Sequence, residues 1–238
     1  MKIALISDKI IDIKRNNVDY FCSEDKIPST EWSNYDIAVL LEPYTKEALI
    51  RWTGHPHLRC CDTVDEVEKE LFQLENNIEI ERKYLVEFPD IEALNIYNPY
   101  NCRIEQVYLN FDLGTRRIRK RSSEGVTLYY ETVKMRISDT SSHEYEHIIT
   151  QSEYNELLKT ADNSKRAIKK NRYCFVYNKQ YFELDVFDFW KDKAVLEIEL
   201  CDEKESVDIP LEIKVIKDVS EDYNYKNSQL ARIDYEDC

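Results

Sequence analysis

Between Ile78 and Leu200 the chain alternates charged with apolar residues at a period of two, and the charges come in same-sign sets. Glu79 and Glu81 enclose Ile80, with Lys83 next on the same face. Arg117, Arg119 and Arg121 form a second set. Lys134 with Arg136, Glu144 with Glu146, Lys170 with Arg172, Glu183 with Asp185, and Glu197 with Glu199 complete seven. Period two is the period of a β-strand, so residues two apart share a face and lie about 6.6 Å from each other. Taken alone, any one set reads as the solvated outer face of an ordinary sheet. Together they do not, because the intervening Ile80, Ile118, Val133, Leu184, Val186 and Ile198 are apolar and must face a core. A solvent face would also mix its signs, since like charges side by side repel. Same-sign sets sorted by strand indicate a closed sheet whose charged face meets a ligand of both signs.

Eight segments carry strand character: Ile78 to Val86, Ile104 to Asn110, Arg117 to Arg121, Thr127 to Arg136, Glu144 to Ile149, Tyr173 to Tyr177, Gln180 to Phe187 and Ala194 to Leu200. Ser122 to Gly125 and Asn178-Lys179 offer hairpin turns. Helical stretches are expected at Gln151 to Thr160 and at Asn227 to Arg232. The first 75 residues differ. Ile3 to Ile6 and Ile37 to Leu41 are short apolar strands, and Thr63 to Leu74 is an amphipathic helix opened by a Thr63/Glu66 capping box. Glu75-Asn76-Asn77 marks a turn between the two parts. The expectation is a mainly β (α+β) chain, with a small α/β segment over 1–75 and a barrel or sandwich over 78–238.

Clustered carboxylates either raise their pKa values or take up a cation. Hard oxygen ligands suit Mg²⁺ or Mn²⁺, and the arginines and lysines then suit a polyphosphate. Composition limits how phosphate is bound. The chain has three glycines, Gly54, Gly114 and Gly125, so neither a Walker A loop nor a dinucleotide glycine fingerprint can be assembled. A net charge of −14 disfavours a general nucleic-acid binder. Seven scattered cysteines, Cys60 and Cys61 adjacent and no C-x-x-C among them, read as reduced core fillers of a cytoplasmic protein. No signal peptide and no membrane-length apolar run is expected. The four histidines, His55, His57, His143 and His147, have no spacing that requires catalysis.

Glu79-Ile80-Glu81-Arg82-Lys83 is an E-x-E-x-K signature and resembles the opening of the CYTH superfamily, the triphosphate tunnel metalloenzymes. The resemblance continues in order to about Ala231. It runs through Arg117-Ile118-Arg119, Thr132-Val133-Lys134, Glu144-Tyr145-Glu146, Lys170-Asn171-Arg172, Glu183-Leu184-Asp185, Glu197-Ile198-Glu199 and Tyr225-Lys226-Asn227. It implies an eight-stranded antiparallel β-barrel tunnel with flanking helices, and a metal-dependent reaction on a triphosphate inside it. By motif, Glu79, Glu81, Glu144, Glu146, Asp185, Glu197 and Glu199 fall on metal-associated positions. Lys83, Arg117, Arg119, Lys134, Arg172 and Lys226 fall on phosphate-binding positions. Lys170, with a water-orienting role, and Glu81 fall on catalytic ones. Arg121 and Arg136 share these faces and are held back as rim or surface charges.

The segment Gly54-His55-Pro56-His57-Leu58-Arg59, Cys60-Cys61-Asp62 and the helix after it resembles the end of a P-loop kinase-like domain, here without a phosphate-binding loop. An unrelated small cap is the other reading. The leading functional expectation is hydrolysis of inorganic tripolyphosphate or a compact organic triphosphate, releasing orthophosphate. The alternatives are a class IV type adenylate cyclase and a non-catalytic module binding polyphosphate or an RNA 5′ end. Expected partners are a small triphosphate, with no membrane and no nucleic acid other than such an end. The oligomeric state is left open, a homodimer included.

Overall fold

The computed structural model describes residues 2–235 apart from 10, 12, 14, 16, 27–30, 32, 33 and 56. Pro56 and one of the seven cysteines, Cys238, lie outside the described residues. Two sheets organise the chain.

The first sheet is parallel. Strands β1 (Ile3–Ile6), β2 (Val18–Phe21), β3 (Ile37–Leu41) and β4 (Leu58–Cys61) lie in the order β2-β1-β3-β4. Helix α1 (Lys46–Trp52) leads into β4, and α2 (Val64–Glu75) follows it. β1 and β3 are buried throughout, as parallel strands covered on both faces should be. One face packs on Val67 and Leu71 of α2. The other packs with Ala48 and Trp52 of α1, and with Cys174 and Tyr181 of the second sheet, so the two sheets share a core. Thr63 caps α2 through its hydroxyl, but Glu66 reaches back to the Asp62 N–H instead of to Thr63, so the capping box is only half formed.

The second sheet closes on itself. It comprises β5 (Ile78–Glu87), β6 (Tyr100–Leu109), β7 (Thr115–Ser123), β8 (Val126–Arg136), β9 (Ser141–Ile149), β10 (Ile168–Tyr177), β11 (Gln180–Phe187) and β12 (Lys193–Glu199). The order is β12-β11-β10-β6-β7-β8-β9-β5, every pairing is antiparallel, and β12 pairs back onto β5. A short edge strand, β13 (Val215–Asp218), pairs with the far half of β5, where β9 has left it. The expected eight-stranded antiparallel barrel is therefore present, preceded by a small α/β unit.

Along the charged stretch of the barrel strands the intervening apolar residues face outward. Ile198 and Leu184, with Ile80 and Val186, pack into an outer core with Phe175 and Phe182. Ile118 packs under α3 (Gln151–Leu157), whose Tyr154 and Leu157 cover it. A full capping box, Thr150 with Glu153, opens α3. Below the barrel, Leu85, Tyr108, Phe187 and Val195 meet Leu230 and Ala231 at α4 (Asn227–Leu230) and its C-terminal flank. The charged side chains point inward, above apolar residues of the same strand faces, such as Leu85, Phe187 and Val195, at the lower end. Among the described residues no helix is long and apolar enough to cross a membrane.

Candidate active site

Strand register decides which inward charges meet. Glu197 lies opposite Lys83, Arg172 opposite Asp185, and Glu144 opposite Lys134. Same-sign sets along each strand thus become opposite-sign pairs across strands, which is the favourable arrangement. The barrel interior holds a cavity of ≈390 Å³ lined by Glu79, Glu81, Lys83, Arg117, Arg119, Lys134, Glu144, Glu146, Arg172, Glu197, Glu199 and Lys226. Twelve of the fourteen expected site residues therefore share one space. Lys170 and Asp185 stand behind its wall, each with a side chain exposed to 0%, paired with each other. Asp185 in turn accepts from Arg172, whose Nη2 lies 2.6 Å from Asp185 Oδ2 and 2.9 Å from Glu197 Oε2.

Three carboxylates converge on one ammonium. Lys134 Nζ pairs with Glu79 and lies 3.5 Å from both Glu81 Oε1 and Glu144 Oε2. Lys226 Nζ adds a second cation 3.5 Å from Glu81 Oε1, and Lys83 Nζ a third, 3.2 Å from its Oε2. Burial would raise the Glu81 pKa, but Lys134 and Lys83 outweigh it and hold it far below the usual range. Glu79 goes the other way. Burial, and then the neighbouring Glu144, push it up to about 8 in spite of Lys134. Burial and neighbouring charge thus pull two glutamates of one strand in opposite directions. Burial also lowers Lys170, to about 8, against the pull of Asp185.

The arginines are less completely satisfied. Arg117 Nη2 lies 3.3 Å from Glu144 Oε1 and Arg119 Nη1 3.6 Å from Glu146 Oε2. The Nε of each is buried with no hydrogen-bond partner, although both side chains line the cavity. Buried donors of this kind are costly unless something accepts from them. Among the described residues no three His, Cys, Asp or Glu side chains are grouped to hold a metal ion as they stand. The donor chemistry still fits a hard divalent cation, because the carboxyl oxygens of Glu79, Glu81 and Glu144 converge on one point, the Lys134 ammonium.

Sequence reasoning missed three participants. Glu183 pairs with Arg172 and lines the cavity; its spacing to Asp185 was the available signal. His57 and Arg59 come from the N-terminal unit, with His57 Nε2 3.6 Å from Glu146 Oε1 and Arg59 paired with Glu199. No periodicity marks them. Arg121 is buried, not a rim charge: its Nη2 donates to Gly54 O at 3.1 Å and its Nε contacts Cys102 Sγ at 3.2 Å. Arg136 is the half-exposed rim residue expected, paired with Asp139. His143 and His147 sit on the outer face, the latter 3.6 Å from Glu131 Oε2.

The family model described as "CYTH domain" matches residues 77–232. The inorganic triphosphatase NE1496 is 30% identical, with 64% of this chain and 93% of that one covered and a TM-score of 0.43. The PH1819 protein of Pyrococcus horikoshii is 22% identical, with 53% and 80% covered and a TM-score of 0.44. HpAC1 of Hippeastrum, described as a putative adenylyl cyclase with a dominant triphosphatase activity, is 14% identical, with 52% and 80% covered and a TM-score of 0.37. No curated protein matches the chain. With a closed eight-stranded barrel, inward charges in the expected order and a family model spanning residues 77–232, the chain belongs to the CYTH family.

Proposed function

We propose that this chain is a triphosphatase that binds a triphosphate inside the barrel and releases orthophosphate from it, with residues 1–75 and 78–238 as its two structural units. The observation that carries the reading is the pair of buried, unpartnered Nε donors on Arg117 and Arg119, two residues that line a cavity together with further cations. Among those cations are Lys83, Lys134, Arg172 and Lys226. An anion with many oxygens satisfies all of these donors at once, and guanidinium groups bind phosphate oxygens in pairs.

Family membership brings an expectation of a divalent cation, Mg²⁺ or Mn²⁺. Glu79, Glu81 and Glu144 are the residues that would hold it, with Glu146, Glu197 and Glu199 lining the same cavity. Such an ion neutralises phosphate oxygens and activates water. The protein's own part is to hold the triphosphate rigidly in a site where charge developing at the transferred phosphorus meets fixed cations. Lys170 reaches Asp185, not the cavity, so its contribution here is to fix Asp185 and, through it, Arg172.

The test is incubation with tripolyphosphate or ATP plus Mg²⁺ or Mn²⁺, with orthophosphate read by malachite green. Orthophosphate release is the expected result. Cyclic AMP and pyrophosphate without orthophosphate would sink the proposal. Arg117→Ala and Arg119→Ala should each lower kcat/KM for tripolyphosphate about 100-fold, the scale for losing a charged contact to a phosphate in a buried site. Unchanged values in both would remove these arginines from the site.

A further inference from the structure

The N-terminal unit reaches into the barrel. Its residues Thr53 to His55 and His57 to Arg59 sit at one barrel end, held by Tyr181, whose hydroxyl donates to Thr53 O at 3.3 Å and His55 O at 3.2 Å. Arg121 donates to Gly54 O from the same end. Between the segment and the barrel lies a second cavity of ≈530 Å³. Six side chains line both cavities: His57, Glu79, Arg121, Glu144, Glu146 and Glu199. The junction of the two units is therefore also a wall of the candidate active site.

Arg59 lines the junction cavity, not the barrel cavity, and reaches the shared wall through Glu199. Its Nε donates to Glu70 Oε2 of α2 at 2.9 Å, and its Nη2 pairs with Glu199 on β12. Its side chain is 12% exposed. Glu70 is itself fixed by Cys201 Sγ at 2.8 Å from its Oε1. Arg59 is thus anchored from behind and presented forward. Among the described residues, Arg59 is the cation that pairs with Glu199. His57 touches Glu146 in the same manner. Residues 57 and 59 lie outside the span matched by the family model, which begins at 77.

We propose that Arg59, assisted by His57, is a positioning residue of the barrel site. Through the Arg59–Glu199 pair the N-terminal unit sets how the site divides its affinity between polyphosphate anions and divalent cations. The proposal rests on the reading above that polyphosphate enters this barrel. The reason is charge balance. Removing Arg59 leaves Glu199 as an uncompensated carboxylate on the cavity wall. That repels an anion and attracts a cation, so the two affinities must move in opposite directions. A purely structural role would weaken both.

The experiment uses the full chain and two separate probes: tripolyphosphate in the presence of EDTA, by calorimetry, and Mn²⁺ alone, by electron paramagnetic resonance. Arg59→Ala should weaken tripolyphosphate binding about tenfold or more, and tighten Mn²⁺ binding about threefold or more. Arg59→Lys, which keeps the charge, should bring both back to within about twofold of the native chain. Glu70→Gln removes only the rear anchor and should show the same signs at smaller size, which keeps the test open if Arg59→Ala does not fold. Both affinities unchanged, both weakened, or neither probe bound by the native chain would overturn the proposal. Opposite shifts in a protein that releases no orthophosphate would uphold it and reject the hydrolase reading instead.

Discussion

His55 shows how one residue can be settled by the two groups it touches. It is buried, its Nε2 lies 3.3 Å from Tyr35 O, and its Nδ1 accepts from the His57 N–H at 3.1 Å. That acceptor role requires an unprotonated Nδ1 and hence a neutral ring. Burial first, then His57 and Arg121, lower the pKa to about 3 from 6.5. The unfolded chain therefore binds a proton at His55 between these two values and the folded chain does not. Stability contributed by the neutral ring is fully present above pH 6.5 and is lost as pH falls toward 3, at up to about 1.4 kcal/mol per unit. Urea unfolding of His55→Gln between pH 4 and 7 should show a pH slope flatter by close to one proton. An identical slope would mean that His55 titrates normally. Nothing in the sequence around His55 announced this, because its burial depends on Tyr35, Tyr181 and Arg121.

At the scale of elements, turns and register do the positioning. Gly114 sits before β7 at φ +152, and a Cβ there would meet the Lys134 carbonyl oxygen of β8 well inside van der Waals contact. Both the backbone conformation and the space demand glycine at this point. Gly114→Ala should cost about 1–3 kcal/mol of stability. Because it pushes on Lys134, it should also weaken tripolyphosphate binding more than an equally destabilising change at the outer core, such as Ile118→Val. Equal binding by the two variants would separate this glycine from the site. The hairpin turns were legible: Glu124, Gly125, Asn178 and Lys179 all have positive φ, as two-residue turns of this kind require. Short strands with weak patterns were not. β2, β4 and β13 carry no clear alternation, and each exists because a neighbouring strand offers it an edge.

For the molecule as a whole, the shared core between the two sheets has a consequence. Trp52 of the N-terminal unit packs in one cluster with Cys174 and Tyr181 of the barrel, while Trp190 lies in the core at the barrel's other end. Units coupled through buried apolar contacts and buried ion pairs should unfold together. Guanidinium unfolding followed by fluorescence of Trp52→Phe and Trp190→Phe variants should give coincident midpoints. Two separated transitions would mean that the N-terminal unit is an independent cap, and would weaken any role for Arg59. The same coupling explains why the N-terminal unit was the least legible part. Its sequence shows two strands and a helix, but its contacts with Glu146 and Glu199 close across a long stretch of chain.

The sequence by itself determined which face of each barrel strand is charged. Side-chain direction alternates strictly along a strand, so Glu79-Ile80-Glu81 or Arg117-Ile118-Arg119 assigns its faces without any neighbour. Ordered motifs then named the family. Tertiary structure alone decided which charges meet and how deeply each lies. Glu79 and Glu81 are alike in sequence, yet one is pushed up to about 8 and the other held far down, because burial and then Glu144 raise the first, while Lys134 and Lys83 outweigh burial at the second. Lys170 and Lys134 likewise share a motif type, but register and the layer below the barrel place one behind the wall and the other among three carboxylates. Period two fixes direction; depth and partner are properties of closure, which brings strands far apart in the chain to within a hydrogen bond of each other.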